Sequence, residues 1–199
     1  MKIKDLIYDK IFRKKISFYK KRKFYFFGKN SVIEKPYLQC SGTNLISIGN
    51  DVTILKGSRL AVYGNGNDNV NESSIIIGEE CYIGFNFSAL SVAKGKIEIG
   101  NNVLIASNVL ITNENHGINP ELSIPYMNQD LEFKNVYIGD GCWIGEKTII
   151  LPGVSIGKQS IIGAGSVVTK SIPEYSIAVG NPAKVIKKYN FQTHRWEIC

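Results

Sequence analysis

Apolar residues recur at every sixth position through the second half of the chain. Between Val136 and Thr169, six aliphatic residues stand six apart, and four are followed directly by glycine; they are Ile138, Ile144, Ile150, Ile156, Ile162 and Val168. This period fits neither the 3.6-residue helix nor the alternation of a simple strand. It predicts a coiled sheet in which each short strand ends at a corner and three hexads form one triangular turn.

The same rhythm begins near Leu45, is interrupted twice before Val136, and shifts between these interruptions by a short insertion at Ala93–Gly95. Residues 63–74 are rich in Asn and Gly, which predicts a loop extruded from a corner of the coil. Residues 112–135 are polar, contain proline and include His116. This second stretch is too long for a corner, so we expect a projecting loop that carries function on a rigid scaffold.

Charge divides the chain into a basic beginning and a nearly neutral body. Residues 1–35 hold 12 of the 24 Lys and Arg residues and three of the 17 acidic residues. This segment therefore has a net charge of +9 and the rest of the chain −2, which together give the net charge of +7. The body therefore gives no reason to expect nucleic-acid binding. Ile3, Leu6, Ile7 and Ile11 stand at helical spacing and predict a basic amphipathic helix. Two interpretations stay open: a cap on the coil, or contact of residues 1–30 with the anionic inner face of a membrane.

The four cysteines are far apart in the sequence and form no CxxC pair; they are Cys40, Cys81, Cys142 and Cys199. Charged residues interrupt the first apolar positions, so no signal-peptide core is present, and no apolar run approaches the ~20 residues of a membrane span. We therefore expect a cytoplasmic protein with reduced, structural thiols. The expected division is a basic segment at 1–35, a coil at 36–188 and a tail at 189–199.

The segment IGDGCWIGEKTIILPGVSIGKQSIIGAGSVVTKSIPEYSIAVGNPAKVIK, residues 138–187, resembles the hexapeptide-repeat acyltransferases. The resemblance covers about residues 45–188 and is strongest to the maltose/galactoside and polysaccharide O-acetyltransferase branch. It implies a left-handed parallel β-helix, although the six-residue period alone does not overturn the general preference for right-handed crossovers. It also implies a homotrimer with active sites between neighbouring coils, acetyl-CoA as the acyl donor and no metal.

His116 is the candidate general base, because the matching loop histidine of the family has that role and a neutral imidazole suits proton transfer near neutral pH. Glu114 could orient the imidazole or be a solvated loop carboxylate. The resemblance places Asn86 at the acceptor, whereas a left-handed corner asparagine is the alternative. The family's acceptor-contacting Asp is absent from Ser91–Gly95, which argues against a simple glucoside or galactoside acceptor. His194, in the tail, has no expected role.

For the donor, the resemblance implies that CoA lies along the face of the coil after Trp143, which would also line the acceptor cleft. Basic residues near the CoA phosphates are chemically reasonable because they complement the anionic charge. Glu146 stands where the family commonly has a small polar residue, so that contact is not expected. The expected donor-binding residues are Trp143, Gly145, Ala164, Thr169, Lys170, Lys184 and Lys187.

The predicted function is acetyl-CoA-dependent O-acetylation of a sugar hydroxyl in a surface polysaccharide or glycan precursor. Two alternatives remain: N-acetylation of a nucleotide-linked amino sugar, and a non-catalytic β-helix scaffold. A zinc enzyme of the γ-carbonic anhydrase type shares this coil but needs three histidines around its metal. This chain has two histidines in total, which excludes that class.

Overall fold

A computed structural model describes residues 24–64 and 74–199, and these residues form a coil of three parallel sheets. The chain visits the sheets in a repeating order, which we label A, B and C. We call the bends between them the A/B, B/C and C/A corners. The parallel β-helix of hexapeptide repeats expected from the sequence is confirmed.

The strands are short, and most of them contain two or three residues. Sheet A contains β1 (Phe26–Phe27), β4 (Ile46–Ile48), β7 (Ile75–Ile77), β10 (Ile97–Ile99), β15 (Val136–Ile138) and β18 (Ser155–Ile156). Sheet C contains β3 (Gln39–Ser41), β6 (Arg59–Tyr63), β9 (Ser88–Val92), β12 (Leu110–Thr112), β17 (Ile149–Ile150) and β20 (Val167–Val168). Sheet B contains β2 (Val32–Ile33), β5 (Thr53–Ile54), β8 (Tyr82–Ile83), β11 (Leu104–Ile105), β16 (Trp143–Ile144), β19 (Ile161–Ile162), β21 (Ser176–Gly180), β22 (Ala183–Asn190) and β23 (Arg195–Ile198).

One aliphatic side chain per strand points into the coil and stacks on its equivalents in the turns above and below. In sheet B, for example, Ile83 pairs with Ile105, which pairs with Ile144, which pairs with Ile162. All four side chains are completely buried. Each buried aliphatic side chain stabilises the fold by about 1.5–3 kcal/mol, so these columns serve as the hydrophobic core.

The interruptions of the six-residue rhythm are stacked at one corner. Residues 64–74, 93–96 and 113–135 each connect a strand of sheet C to the next strand of sheet A, so all three leave the coil at the C/A corner. The first lies mostly outside the described residues, but its two ends, Gly64 and Ser74, are in place. The positions that the sequence marks as irregular are therefore neighbours in space.

The excursion at 112–135 is more ordered than the projecting loop expected from its composition. It contains an antiparallel hairpin of β13 (Glu114–His116) and β14 (Leu131–Phe133), with a 3₁₀ turn at Tyr126–Asn128 between the two strands. We call β13, β14 and the residues between them the hairpin. The strands escaped sequence analysis because they are only three residues long and lack an apolar alternation.

The expected boundaries of the coil stay a prediction, and described strands cross both of them. Strands β1 and β2 pair with β4 and β5, so among the described residues the paired strands begin at Phe26, where Phe27-Gly28 stands in place of an Ile-Gly step. At the other end, β22 runs across residue 188 and pairs antiparallel with β21 and β23. The amphipathic helix expected at the N-terminus falls outside the described residues. Within the part of the chain that the structure describes, no helix is long and apolar enough to cross a membrane.

The C-terminal strands are held by an aromatic cluster at the A/B corner. Tyr175 and Tyr189 each contact Phe191 edge to face, at centroid distances of 4.8 and 5.1 Å, and Tyr189 also contacts Trp196. Hydrogen bonds from Asn190 and Thr193 lower the pKa of the Glu197 carboxyl on β23.

All four cysteines are free thiols. Burial raises the pKa of Cys81 and of Cys142, so both stay protonated near neutral pH. This agrees with the structural thiols expected from the sequence.

Candidate active site

His116 is exposed at the end of β13, on the hairpin that leaves the C/A corner. It pairs with Leu131 across the hairpin, and Glu114 pairs with Phe133. Because side chains alternate along a strand, these four residues lie on one face of the hairpin. Glu114 is therefore on the same face as the imidazole, as a role in orienting it requires.

A cavity of about 450 Å³ lies at the C/A corner beside this face. The hairpin contributes Asp130, Leu131 and Phe133 to its wall. The other wall is formed by the ends of the two neighbouring turns, with Tyr63, Gly64, Val92, Ala93 and Lys94. The wall thus combines apolar and aromatic surface with one cationic and one anionic side chain, and it includes Leu131, the residue that pairs with His116 across the hairpin.

Asn86 lies at a different corner, the B/C corner, with a left-handed φ of 56°. This is the conformation expected of a corner asparagine. Its Nδ2 donates to Asn108 Oδ1 at 3.1 Å, and Asn108 Nδ2 donates to Glu146 Oε1 at 3.3 Å. One turn earlier, a Cβ at Gly57 would collide with Asn86 Oδ1. The amide is thus part of a ladder across successive turns, and a contact with an acceptor stays a prediction.

A second cavity, of about 550 Å³, lies along this ladder at the B/C corner. Phe85 forms an apolar part of its wall, and Lys56 Nζ stands 5.8 Å from the centre of that ring. Glu146 contributes a carboxylate to the same wall. This explains why an acidic residue is compatible with the position: it accepts a hydrogen bond from the ladder.

Trp143 stands on the outer face of sheet B and is 50% exposed. Across this sheet, Trp143 pairs with Ile161, Ile161 with Ile177, and Ile177 with Lys187. Three strand spacings of ~4.8 Å separate the indole from the lysine position, or roughly 14 Å in total. The outer face of sheet B therefore offers an apolar row with a cation at its far end.

Lys184 joins Lys187 on this outer face because of a bulge in β22. Lys184 pairs with Val179 and Lys187 with Ile177, and the register shifts between the two pairs. Without the bulge, residues three apart on a strand would point to opposite faces. The bulge thus places both lysines beside the apolar row.

Gly145 and Ala164 lie one above the other at the B/C corner, next to this face. A Cβ at Gly145 would lie 2.5 Å from the backbone nitrogen of Ala164, so the two turns are in close contact there. Thr169 and Lys170 are elsewhere: they follow β20 in sheet C and are exposed at the C/A corner.

The candidate residues therefore fall into two groups on opposite sides of the coil. In a triangular section, the C/A corner lies opposite the face of sheet B, with the aliphatic core between them. The first group, at the C/A corner, contains Glu114, His116, Thr169 and Lys170. The second group, on sheet B and the B/C corner, contains Asn86, Trp143, Gly145, Ala164, Lys184 and Lys187. The coil of one chain holds the two groups apart.

Asn113 and Gln129, which the sequence did not mark as important, make the hydrogen bonds that hold the hairpin in place. Asn113 is completely buried at its root. Gln129 is buried within it, where its Nε2 donates to the carbonyl of Asn119 at 2.9 Å and its Oε1 accepts from the nitrogen of Asn119 at 3.0 Å. Polar residues in a polar stretch give no sign of burial, so the sequence held no signal for either.

No group of three or more His, Cys, Asp or Glu side chains is arranged to hold a metal ion within residues 24–64 and 74–199.

A parallel β-helix with an exposed histidine on a corner hairpin and an apolar row on the outer face of sheet B has the features expected of a hexapeptide-repeat acyltransferase. Two family models match the chain: the bacterial transferase hexapeptide (six repeats) over residues 135–170, and the hexapeptide repeat of succinyl-transferase over residues 74–113. The chain is 36% identical over 183 residues to the putative lipopolysaccharide biosynthesis O-acetyl transferase WbbJ of Escherichia coli. This alignment covers 86% of each protein. The chain belongs to the hexapeptide-repeat acetyltransferase family.

Solved structures agree with this assignment. A mutant of AntD, an N-acyltransferase from Bacillus cereus in complex with dTDP and coenzyme A, superposes with a TM-score of 0.72 at 25% identity, covering 87% of this chain and 89% of that one. A galactoside acetyltransferase in complex with coenzyme A gives a TM-score of 0.62 at 28% identity, covering 97% of this chain and 84% of that one.

Proposed function

We propose that the protein transfers the acetyl group of acetyl-CoA to a hydroxyl of a sugar in a surface polysaccharide or glycan precursor. The observation that carries this proposal is the cavity beside the His116 face of the hairpin, where a wall of Tyr63, Phe133 and charged side chains suits a sugar ring. The relation to a putative lipopolysaccharide O-acetyl transferase over 86% of the chain supports the same acceptor class.

In the proposed reaction, His116 acts as the general base. Its neutral imidazole takes the proton of the sugar hydroxyl while the hydroxyl oxygen attacks the thioester carbonyl. The tetrahedral intermediate then collapses, the carbon–sulfur bond breaks and the imidazolium returns the proton to the departing thiolate of CoA. Glu114 lies on the same face and favours the imidazolium. Asn86 contributes to acceptor binding.

The donor lies along the outer face of sheet B. Trp143 packs beside the thioester and the acceptor, and Gly145 and Ala164 flank the pantetheine arm. Lys184 and Lys187 on β22, together with Thr169 and Lys170, serve the nucleotide and its phosphates. The apolar row from Trp143 to Ile177 supports this placement because the pantetheine arm is largely apolar and extended.

The separation of the two residue groups supports a homotrimer with its sites between subunits. One chain supplies His116, Glu114, Thr169 and Lys170 from its C/A corner, and a neighbour supplies the sheet B face with Trp143. A cyclic arrangement gives every subunit the same two roles. The division into a basic segment at 1–35, a coil and a tail at 189–199 is retained as part of this proposal, with β22 as the link between coil and tail.

N-acylation of a nucleotide-linked amino sugar is a second candidate, favoured by the likeness to the AntD N-acyltransferase over 87% of the chain. The two reactions differ in the bond formed, an ester or an amide. Incubation with acetyl-CoA and a panel of sugars, oligosaccharides and nucleotide-linked amino sugars, followed by hydroxylamine treatment of the products, distinguishes them. Hydroxylamine cleaves the acetyl ester and leaves the amide.

The substitution His116→Asn tests the role of the base. We expect the rate of thiol release from acetyl-CoA with a productive acceptor to fall by about 10²–10⁴-fold, because proton transfer loses its acceptor. Binding of CoA, measured by calorimetry, should be unchanged. The matched control is His194→Asn, on an exposed turn with a left-handed φ of 53° that asparagine tolerates, which should keep the wild-type rate. A His116→Asn variant with full activity would contradict the proposal.

A further inference from the structure

Three buried polar residues meet at the C/A corner beneath the hairpin. Ser91 and Asn113 are completely buried and Ser74 is 2% exposed. We call Ser74, Ser91 and Asn113 the corner brace. Side chains of this kind are seldom buried, and when buried they form hydrogen bonds.

Every polar atom of the Asn113 side chain is used within the corner brace. Its Nδ2 donates to Ser91 Oγ at 2.9 Å, and its Oδ1 accepts from the backbone nitrogen of Val92 at 3.3 Å. Ser74 Oγ donates to the carbonyl of Ala93 at 2.9 Å. These contacts attach Ser74 and Asn113, the end of the first excursion and the start of the third, to residues 91–93 at the end of β9.

The backbone of Asn113 anchors the root of the hairpin from both sides. Its nitrogen donates to the carbonyl of Leu90 at 3.2 Å, and its carbonyl accepts from the nitrogen of Lys134 at 2.9 Å, where the hairpin returns to the coil. Asn113 therefore lies at the point where the hairpin both leaves and rejoins the scaffold, three residues before His116.

The corner brace also touches the cavity wall. Val92 and Ala93, whose backbone groups bond to Asn113 and Ser74, both line the cavity beside the hairpin. Gly95 leaves the space that the amide needs, since a Cβ there would lie 2.5 Å from Asn113 Nδ2. The same hydrogen bonds thus fix the wall on one side and the strand that carries His116 on the other.

We propose that Asn113 and Ser91 are positioning residues that hold the His116 imidazole in register with the acceptor cavity. They do not contact the reacting atoms and act through the hairpin. A displacement of about 1 Å at a reacting group can reduce the rate roughly 10²-fold. Loss of the Asn113–Ser91 bond should therefore lower kcat while leaving the donor face of sheet B intact.

This inference rests on the proposed function for its kinetic part, so the main test does not depend on the acceptor. The chain has two histidines, so ¹³C labelling of histidine gives two Cε1 signals, one from His116 and one from His194. We expect Asn113→Ala and Ser91→Ala to shift or broaden the His116 signal and to leave the His194 signal unchanged.

The matched control is Ser31→Ala. Ser31 is 2% exposed and its hydroxyl bridges two turns at the other end of the coil, donating to the carbonyl of Gly49 at 2.6 Å and accepting from the nitrogen of Val52 at 3.0 Å. It matches Ser91→Ala in chemistry and burial, so a general loss of stability affects both. The control should leave both histidine signals unchanged.

In kinetics, Asn113→Ala should lower kcat about 10–100-fold with the same KM for acetyl-CoA. Adding Ser91→Ala to this variant should lower kcat little further, because both substitutions remove the Asn113–Ser91 bond. If Asn113→Ala does not fold, Ser91→Ala alone carries the test. Folded variants with an unchanged His116 signal and wild-type kcat would overturn the inference. A fully active His116→Asn would instead overturn the proposed function, whatever the brace variants show.

Discussion

Single residues at the corners of this coil are selected by backbone conformation and close contact. The non-glycine residues with positive φ include Asp51, Glu80, Asn86, Asn102, Asn108, Lys147 and Gln159. Asparagine is frequent among them because it tolerates the left-handed region better than most residues. Asn86 shows that this structural role and a role at the acceptor are compatible, since one amide hydrogen bond lies along the ladder and the corner itself borders a cavity.

Trp143 exposes half of a large aromatic side chain on the outer face of sheet B, and its replacement tests the proposed donor face. We expect Trp143→Ala to raise the KM for acetyl-CoA several-fold or more, because the apolar row loses its largest side chain. Little change in thermal stability is expected, since the indole is 50% exposed. Steady-state kinetics over a range of acetyl-CoA concentrations provides the measurement.

The matched control for this prediction is Tyr137→Ala. Tyr137 is an aromatic residue in the preceding strand of the same turn, 40% exposed on the outer face of sheet A. The KM of the Tyr137→Ala variant for acetyl-CoA should equal that of the wild type. Equal effects of the two substitutions would argue against a donor site on sheet B.

At the scale of elements, the hairpin is an ordered structure built on very short strands. Three register pairs join β13 to β14, and an isolated hairpin of this size is not stable in water. Gln129 supplies internal hydrogen bonds to the Asn119 backbone, and the corner brace supplies the attachment to the coil. The hairpin is therefore held by buried polar groups, in contrast to the aliphatic columns of the coil.

The substitution Gln129→Ala tests this account of the hairpin. The substitution removes the two hydrogen bonds from the amide to the backbone of Asn119, each worth about 0.5–1.5 kcal/mol, which should open the hairpin locally. We expect faster proteolytic cleavage within residues 118–128 and faster hydrogen exchange there, with nearly unchanged exchange in the coil. Gln192→Ala, at an exposed turn between β22 and β23, should leave both measurements unchanged. A uniform rise in exchange over the whole coil would contradict local opening.

At the scale of the whole molecule, a triangular coil separates groups that lie on different faces. His116 leaves the corner opposite sheet B, while Trp143 stands on the outside of that sheet. The core between them is fully packed with aliphatic side chains, which allows no connection through the coil. The proposed site therefore joins the C/A corner of one chain to sheet B of another.

Mixed assemblies test this arrangement directly. Chains carrying His116→Ala and chains carrying Trp143→Ala are co-expressed in equal amounts and assayed at an acetyl-CoA concentration well below the KM of the Trp143 variant, where the His116 parent is nearly inactive and the Trp143 parent is slowed several-fold or more. Random assembly restores both wild-type residues at about a quarter of the sites if each site joins two chains. No restoration is expected if one chain forms the whole site.

The control places both substitutions on the same chain and mixes it with wild-type chains. Sites between chains then retain about a quarter of the wild-type activity, and sites within a chain retain about a half. The two mixtures should give equal activity under the proposed arrangement. A clearly higher activity in the mixture of doubly substituted and wild-type chains would contradict a site between chains.

Much of the architecture could be read from the sequence because a six-residue period allows few structures. One inward side chain per strand and a bend after each strand follow from the recurrence of Ile138, Ile144 and Ile150, and the structure buries all three. The irregular stretch at 112–135 was also located correctly. The order of the irregular stretches in the chain did not reveal that all of them leave the same corner, since that depends on which sheet each preceding strand joins.

The sequence by itself determined the coil, its repeating core and the residue types available for acyl transfer, because these depend on local spacing and side-chain chemistry. The contacts and relative positions of those residues follow only from the tertiary structure. It ordered a hairpin around Gln129, buried Asn113 beneath it, aligned Lys184 with Lys187 through a bulge and held His116 away from Trp143. These outcomes depend on contacts between residues distant in sequence, where a polar side chain is buried by its neighbours and a face is defined by the turns around it.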